Sequence, residues 1–392
     1  MRHIDNILAR QPAHRLMSVD CLRGLAIAAM VVVNNPGSWS YVYAPLAHAT
    51  WHGWTPTDVI FPLFLFVVGV SIVLANGRAE HFPKPGAGHW SRAAKLFGLG
   101  LFLALFYIQT FNPDFNWWRD QLLQVRWLGV LQRIALVYIA SCYLVWLLDK
   151  RGLIIATLLL LALPYAMMLW VPYADAQGQV YRGVLAHGNH FSAWLDQWVL
   201  GSAHVYYKTA TPFAFDPEGL LTTLPAIASC LLGVLAGLQW RATPSHEALG
   251  LVRRWLLLGA LLLAAGQLAH LWVPINKALW TPSFVAVCAG VSYILLALCY
   301  YLCDVRQWRR PFAPLVVFGV NAIALFMLAG VVGRLLVMIP VGDMSAKQAI
   351  FSQWLAPLLG NYPASLTFSL LCLLLFYAAM WQLFKRGIIW KV

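Results

Sequence analysis

Residues 34–71 read NNPGSWSYVYAPLAHATWHGWTPTDVIFPLFLFVVGVS, and this stretch decides the fold. Its first half is polar, is rich in glycine, proline and aromatic residues, and carries two histidines, His48 and His52. Its second half begins with Thr57-Asp58, a helix-start signal, and becomes an apolar run long enough to cross a bilayer. Ionisable side chains this close to a spanning helix are costly unless they have a function. We therefore expect the rest of the chain to position this loop and to give access to it.

The composition indicates an integral membrane protein. Of the 392 residues, 61% are hydrophobic and 10% are charged, whereas a soluble domain carries about 25% charged residues. The formal charge of +13 is spread over short basic groups between apolar segments, which is a topology signal rather than a nucleic-acid surface. The seven cysteines lie in or beside apolar segments and lack CxxC spacing, so they indicate neither a metal site nor a disulfide framework.

Ten segments are long and apolar enough to span a membrane, since a span needs about 20 mostly apolar residues. They are 22–35, 57–76, 94–110, 127–148, 152–172, 219–238, 254–273, 281–303, 312–338 and 364–384. The ninth contains Gly330, Gly333 and Arg334, so we expect it to be kinked or broken. The sequence thus predicts an all-α integral membrane protein with about 10 transmembrane helices, forming one domain over residues 1–392.

The distribution of basic residues predicts the orientation. With the N-terminus in the cytoplasm, 19 Lys and Arg residues fall on the cytoplasmic side and seven on the other side, as the positive-inside rule requires. Both termini are then cytoplasmic, residues 1–20 form a cytoplasmic segment, and residues 173–218 form an outer loop or cap. The first 24 residues lack the apolar core and cleavage site of a signal peptide, so we expect insertion to begin with the first spanning helix.

His48 is the first candidate for chemistry. An imidazole near pH 7 takes a proton from an amine or hydroxyl and returns it to a leaving group, although an interfacial histidine bonded to a backbone carbonyl is the simpler interpretation. His52 follows four residues later, but Gly53 and Pro56 interrupt any helix that would place both on one zinc site. Asn34 and Asn35 have two interpretations: they donate to an oxyanion or orient His48, or they only cap the first helix.

Three further polar residues lie in or beside predicted spans. Asp58 either favours the helix dipole or holds the tautomer of His48. Arg133 is a guanidinium at bilayer depth and should pair with an acid or an anionic ligand, for which Asp20 and Asp58 are the candidates. The amide of Asn321 most simply joins neighbouring helices.

Several motifs together resemble one known family. In order they are SVDCLRG, the turn at 35–37, HATWHGWTPTDVIFPLFLFVVG, GVLQRIA, FDPEGLLTTLPAIASCLLGVLAG, PINKALWTPSFV and the basic C-terminal tail. The chain resembles the heparan-α-glucosaminide N-acetyltransferase family of transmembrane acyltransferases, particularly its bacterial, NagX-like branch, from about residue 15 onward. The family's lysosomal enzyme has an extra lumenal domain and a leading helix, for which we expect no counterpart here.

The resemblance implies an acetyltransferase of the bacterial inner membrane. It would take the acetyl group from cytoplasmic acetyl-CoA and deliver it to the amine of glucosamine or a related amino sugar outside, without a metal. The family's active histidine falls on His48, as general base or transient acetyl acceptor, and its asparagine falls on Asn34 or Asn35. The family also suggests a homodimer surrounded by membrane lipids.

The remaining binding residues are assigned from these motifs and from charge. Candidate contacts to CoA are Arg23, Arg78, Arg92, Arg133 and Asn321, with topology alone as the competing role of the first three. Candidate contacts to the sugar are Trp51, Asp216, Glu218, Asn276 and Lys277.

Two other functions compete with the acetyltransferase. One is an amino-sugar transporter in which His48, Arg133 and Asn321 line the path without group transfer. The other is a membrane scaffold, against which the intramembrane arginine and the polar outer loop argue. Consumption of the thioester that depends on His48 distinguishes the enzyme from both.

Overall fold

A computed structural model describes residues 2–10, 15–76 and 81–390. In chain order the helices are α1 (Arg2–Ala9), α2 (Met17–Asn34), α3 (Pro56–Ala75), α4 (Ala87–Leu105), α5 (Val130–Leu147), α6 (Lys150–Trp170), α7 (Phe191–Leu200), α8 (Leu220–Ala242), α9 (Ala248–Ala269), α10 (Pro282–Cys299), α11 (Ala313–Val320), α12 (Ala322–Met338), α13 (Ala346–Ala349), α14 (Ala356–Leu359) and α15 (Asn361–Lys385). Two hairpins of two-residue strands complete the described fold: β1 (Tyr173–Ala174) with β2 (Val180–Tyr181), and β3 (Pro340–Val341) with β4 (Met344–Ser345).

The prediction of an all-α integral membrane protein is confirmed. Within the described ranges, eight helices are long and apolar enough to cross a bilayer, and the bent pair α11 and α12 makes a possible ninth span. The predicted span 94–110 differs: its helix runs over Ala87–Leu105, and its first half carries His89, Arg92 and Lys95. These polar residues explain why α4 is less apolar than the other spans. The orientation of the spans stays a prediction.

Helix α2 begins at Met17, five residues before the predicted start, because the side chain of Asp304, from the segment that follows α10, caps it. The backbone N–H groups of Met17 and Ser18 donate to the Asp304 carboxylate at 3.2 and 3.1 Å. The first N–H groups of a helix have no partner within the helix, so a carboxylate at this end is stabilising. This cap comes from a residue almost 290 positions away, so the sequence around Met17 does not predict it.

Two pairs of glycines let four helices touch backbone to backbone. A Cβ atom on Gly24 of α2 would lie 1.9 Å from the carbonyl oxygen of Leu315 in α11, and one on Gly319 would lie 1.9 Å from that of Asp20. Gly69 of α3 and Gly233 of α8 approach the opposite backbones equally closely. Small residues at such crossings are how membrane helices gain close packing. The second pair fixes α3, which carries Asp58, against α8.

The ninth predicted span is broken, as expected, but at Asn321 rather than at the glycines. Helices α11 and α12 meet there at a bend of 70°. The Asn321 amide donates to the Ile388 carbonyl at 2.9 Å and accepts the Trp390 N–H at 2.9 Å. Asn321 therefore joins the helix break to the segment that follows the last helix.

The segment between α6 and α8 has an apolar cluster of its own. It contains β1, β2 and α7, and the buried side chains of Tyr173, Phe191, Phe213 and Phe215 pack together with Leu221 and Leu279. The ring of Trp51 packs against the same cluster. The loop that carries His48 is thereby attached to this segment.

Candidate active site

The start of helix α3 places Asp58 beside the loop that precedes it. Thr55 is the residue before the helix, and its N–H donates to the Asp58 carboxylate at 3.0 Å, which is one half of a capping box. The same carboxylate oxygen, Oδ2, accepts the N–H of Ala49 at 3.1 Å. Asp58 is only 1% exposed. The carboxylate is therefore held by the backbone on both sides, and its other oxygen, Oδ1, points at His48.

His48 and Asp58 form a hydrogen-bonded pair. The Nδ1 atom of His48 lies 2.6 Å from Oδ1 of Asp58. Because the carboxylate already accepts two backbone N–H groups, it acts as an ionised acceptor, and the proton between the pair belongs to Nδ1. In a neutral imidazole this leaves Nε2 without a proton and free to accept one. The tautomer role proposed for Asp58 thus has the required geometry, and the His48 side chain, 48% exposed, is open to a ligand.

Lys277 is the third member of this group. Its Nζ atom lies 3.4 Å from Oδ1 of Asp58 and 3.1 Å from Nδ1 of His48. Since Nδ1 already carries a proton, the ammonium pairs with the carboxylate rather than donating to the ring. We call His48, Asp58 and Lys277 the histidine cluster. The structure places Lys277 against the catalytic candidate, and its role as a sugar contact stays a prediction.

Asn276 and Trp51 use their polar groups to hold the loop that carries His48. The Asn276 amide donates to the Trp51 carbonyl at 2.9 Å, and its oxygen accepts the Leu279 N–H at 2.9 Å. Asn276 is fully buried. The indole N–H of Trp51 donates to the Leu185 carbonyl at 2.8 Å. Both polar groups are thus engaged within the protein, and the role of these residues as sugar contacts stays a prediction.

Asp216 and Glu218 of the FDPEG motif are also engaged within the protein. The Arg126 guanidinium binds Asp216 with two hydrogen bonds, of 2.7 and 2.5 Å, and donates to Glu218 as well. Burial favours the neutral form of Glu218, but the positive charges of Arg126, Arg133 and Lys277 outweigh it and lower its pKa. We call Arg126, Asp216 and Glu218 the ion cluster. Both carboxylates are thus paired with Arg126 within the protein, and their role in sugar binding stays a prediction.

The partner predicted for Arg133 is wrong. Asp20 pairs with Arg15 and Arg23, and Asp58 belongs to the histidine cluster. The Arg133 guanidinium donates to the hydroxyl of Thr222 and to the Gly219 carbonyl, and it lies 4.9 Å from the ring centre of Trp280. It is 0% exposed, so it offers no surface to CoA. The negative charges of the ion cluster compensate it through space rather than through a direct pair.

Asn34 and Asn35 line a cavity instead of contacting His48. The Asn35 amide donates to the Val31 carbonyl one turn earlier, which matches the end-capping interpretation. Both residues line a cavity of about 310 Å³ between α2, α4 and α12. In the described part of the chain, the His48 ring is hydrogen-bonded to Asp58, and the Lys277 ammonium lies beside the same ring nitrogen. The asparagines therefore do not orient the imidazole, and their role toward an oxyanion stays a prediction.

The predicted CoA contacts are scattered. Arg23 is engaged with Asp20, Ser71 and the Gly319 carbonyl, whereas Arg92 is exposed and stacks 5.0 Å from the ring centre of Tyr138. Asn321 is buried at the helix break described above. Arg78 lies outside the described residues. Of the candidates that the structure describes, Arg92 has a solvent-exposed guanidinium.

The sequence did not predict which cations pair with these carboxylates: Lys277 was expected at the sugar, and Arg126 was not a candidate. Lys277 and Asp58 are 219 positions apart, and Arg126 lies 90 positions before Asp216. A buried carboxylate requires a partner, so the motif FDPEG predicts that a cation lies beside it but does not identify that cation. His48 and His52 have no third ligand: across residues 2–10, 15–76 and 81–390, His, Cys, Asp and Glu side chains form no group of three suited to a metal ion.

The chain matches the family model described as "Heparan-alpha-glucosaminide N-acetyltransferase, catalytic" over residues 15–237, more than half of its length. It is 26% identical to the human protein named heparan-alpha-glucosaminide N-acetyltransferase, over 96% of this chain and 60% of the human one. The mouse protein of the same name gives 26% identity over 98% and 61%. The chain thus spans about 60% of the length of these relatives. Both the histidine cluster's loop and the motif FDPEG lie inside the matched region, and the chain belongs to the heparan-alpha-glucosaminide N-acetyltransferase family.

Proposed function

We propose that this protein is a transmembrane acetyltransferase that moves an acetyl group from cytoplasmic acetyl-CoA to the amine of glucosamine or a related amino sugar on the outer side. The observation that supports this most strongly is the 2.6 Å pair of His48 with the buried Asp58, in a loop that the family match covers. The names of the relatives supply the substrate class, since both are N-acetyltransferases of a glucosaminide.

The chemistry follows from the free Nε2 atom of His48. An amine that attacks the thioester carbonyl must lose a proton, and the thiolate of CoA that leaves must gain one. Nε2 takes the proton from the amine nitrogen as the new C–N bond forms, and Nδ1–H stays bonded to Asp58. The carboxylate stabilises the resulting imidazolium, as in other histidine–carboxylate pairs. The proton then passes to the sulfur as the C–S bond breaks.

A two-step route uses the same atom. Nε2 attacks the thioester carbonyl, the C–S bond breaks, and the acetyl group then passes from the imidazole to the amine. The hydrogen bond to Asp58 suits both routes because it directs Nε2 toward the ligand in each. Incubation with labelled acetyl-CoA and no acceptor separates them, since only the two-step route leaves label on His48.

The proposed placement puts the donor and the acceptor on opposite faces. Exposed basic residues on the predicted cytoplasmic side, of which Arg92 is one, suit the phosphates of CoA. We further propose the bacterial inner membrane as the location, with cytoplasmic termini, and a homodimer as the assembly. Labelling of single cysteines introduced at 40 and 386 with a membrane-impermeant reagent in intact cells tests the orientation, because only position 40 should react.

The decisive experiment is acetyl transfer by the purified protein in liposomes, with radiolabelled acetyl-CoA and glucosamine. We expect transfer by the wild type and loss in His48→Ala, with acetyl-CoA binding retained. His246→Ala is the matched control, because His246 is 81% exposed and its ion-pair partner among the described residues is the adjacent Glu247. Binding of glucosamine or N-acetylglucosamine without any consumption of acetyl-CoA would refute the enzyme and support the transporter.

A further inference from the structure

Helix α7 turns its polar side chains into the protein and its apolar side chains outward. Asp196 is 0% exposed, and the side-chain oxygen of Gln197 accepts the Ala214 N–H at 2.7 Å. Trp198, in contrast, is 74% exposed, and Val199 is 50% exposed. A helix at a water-covered surface has the opposite pattern, with polar side chains outside and apolar ones inside. The outward face of α7 therefore suits an apolar medium better than water.

Contacts with the rest of the segment fix which face of α7 lies outside. The Asp196 carboxylate accepts the N–H of Leu220 at 2.9 Å and that of Asp216 at 3.3 Å. At the start of the helix, Phe191 belongs to the apolar cluster of this segment. A rotation of α7 about its axis would break these contacts. The outward position of Trp198 is thus a property of the fold.

Two indole rings form the centre of this outward face. Trp194 and Trp198 are one turn apart, and their rings lie parallel with centres 6.0 Å apart. We call Trp194, Trp198 and Val199 the tryptophan face. Tryptophan is enriched where a membrane meets water, because its ring is apolar and its N–H is polar. A sugar-binding platform also uses indole rings, but it needs polar groups beside them, and the polar side chains of α7 are turned inward.

Helix α7 lies at the end of a helix that is long and apolar enough to span the membrane. It packs against α6, and Met168 near the end of α6 belongs to the same apolar cluster as Phe191. One side of α6 exposes apolar residues at positions that share a helix face: Ile155, Leu159, Leu163 and Trp170. Lipid is the medium that such a row suits in a spanning helix. The apolar surface of α7 therefore begins where the lipid-facing surface of α6 ends.

We propose that α7 is an interfacial helix whose tryptophan face lies in the phospholipid headgroup region, on the side of the membrane that carries the histidine cluster. An interfacial helix of this kind buries its apolar face about 5–10 Å into the boundary between headgroups and acyl chains. Because Phe191 and Trp51 pack in one apolar cluster, α7 joins the lipid surface to the loop of His48. This placement goes beyond the proposed function and does not depend on acetyl transfer.

Spin labels on single cysteines in the full chain test this placement, in nanodiscs of phosphatidylcholine and phosphatidylglycerol. Val199→Cys carries the label on the tryptophan face and leaves both indole rings in place. The hairpin of β1 and β2 belongs to the same segment, and Gln177 and the adjoining Arg182 are exposed there, so Gln177→Cys is the matched control. Leu158→Cys, at an exposed position in the middle of α6, is the lipid standard. The chain without an introduced cysteine gives the background from native thiols such as the partly exposed Cys372.

The depth of each label follows from its collisions with oxygen, which concentrates in lipid, and with a nickel chelate, which stays in water. We expect the oxygen-to-nickel ratio at position 199 to be severalfold higher than at position 177 and lower than at position 158. A label at position 199 that is as open to nickel as the one at position 177 would overturn the proposal, and a sugar platform would give this result. A label shielded from both reagents would also overturn it, because a protein such as a second copy would then cover the face.

The unaltered protein gives an independent test in case a variant does not fold. A phosphatidylcholine with a diazirine near the glycerol end of its acyl chain loses N₂ on illumination, and the carbene inserts into neighbouring side chains. Mass spectrometry should find lipid adducts on residues 191–200 and none on residues 175–179. Adducts on α6 without any on α7 would contradict the placement.

Discussion

The histidine cluster and the ion cluster contain similar groups but use them differently. In the ion cluster, Asp216 and Glu218 share one guanidinium, and their carboxylate side chains are 0% and 11% exposed. In the histidine cluster, Asp58 is equally buried, yet the imidazole that it holds is 48% exposed. The first arrangement satisfies charge within the protein, whereas the second directs one unsatisfied nitrogen outward. Burial of an acid therefore does not identify a site; the exposure of its partner does.

Asp58→Asn should break the histidine cluster with the largest effect on rate. The amide cannot accept the Nδ1 proton and both backbone N–H groups as the carboxylate does, so the imidazole loses its tautomer. We expect acetyl transfer to fall by about 10³- to 10⁴-fold, as for other histidine–carboxylate pairs. Stopped or single-turnover transfer assays measure this, and Asp343→Asn, an exposed aspartate, is the control. A rate within tenfold of the wild type would show that Asp58 only caps the helix.

Arg126→Met should break the ion cluster with an effect on stability instead. It leaves Asp216 and Glu218 buried without their cation, which costs about 3 kcal/mol. Burial opposes the charged form of Arg126, but the two carboxylates outweigh it and raise its pKa. We expect a lower unfolding temperature in detergent and a smaller folded yield. Arg182→Met should change neither, and an unchanged unfolding temperature in Arg126→Met would contradict the contrast between the clusters.

Lys277→Met should show whether Lys277 acts through Asp58 in the histidine cluster or contacts the substrate. The ammonium lies 3.4 Å from Oδ1 of Asp58, the oxygen that holds His48, so its removal loosens that carboxylate and the imidazole bonded to it. We expect kcat to fall about tenfold, which corresponds to about 1.4 kcal/mol in the barrier, with the KM for the sugar unchanged. Lys277→Arg should retain most of the wild-type kcat. A rise in the KM for the sugar with an unchanged kcat would instead support the predicted role of Lys277 in substrate binding.

Asp196→Asn gives the smallest effect and tests the surroundings of the ion cluster. Asp196 accepts the N–H groups of Asp216 and Leu220, and burial raises its pKa from 3.8 to about 7. The folded state thus binds a proton that the unfolded state releases between about pH 4 and pH 7, so stability falls as pH rises through that window. The wild type should lose about 1–3 °C more than Asp196→Asn across it in thermal unfolding. Parallel curves for the two proteins would show that Asp196 does not titrate there.

The sequence predicted the membrane class and nine of the ten spans, if the bent pair α11 and α12 counts as one, because apolar length is a local signal. The catalytic role of His48 stays a prediction. Asp58 was predictable as a partner of His48, since only nine residues separate them. The partners of Lys277, Arg126 and Asp304 were not predicted, because each reaches its partner from a distant helix or loop. The partner predicted for Arg133 was wrong, because Asp20 and Asp58 are paired with other residues in the folded chain.

The glycine crossings have a consequence for mutational scanning. Any side chain at Gly69 or Gly233 would push α3 away from α8, so the histidine cluster would lose its geometry although no catalytic atom had been changed. A scan scored by activity alone would rank these mid-membrane glycines beside His48 and would suggest a second active centre. Scoring surface abundance in parallel separates them, since glycine variants should lose both signals and His48 variants only one.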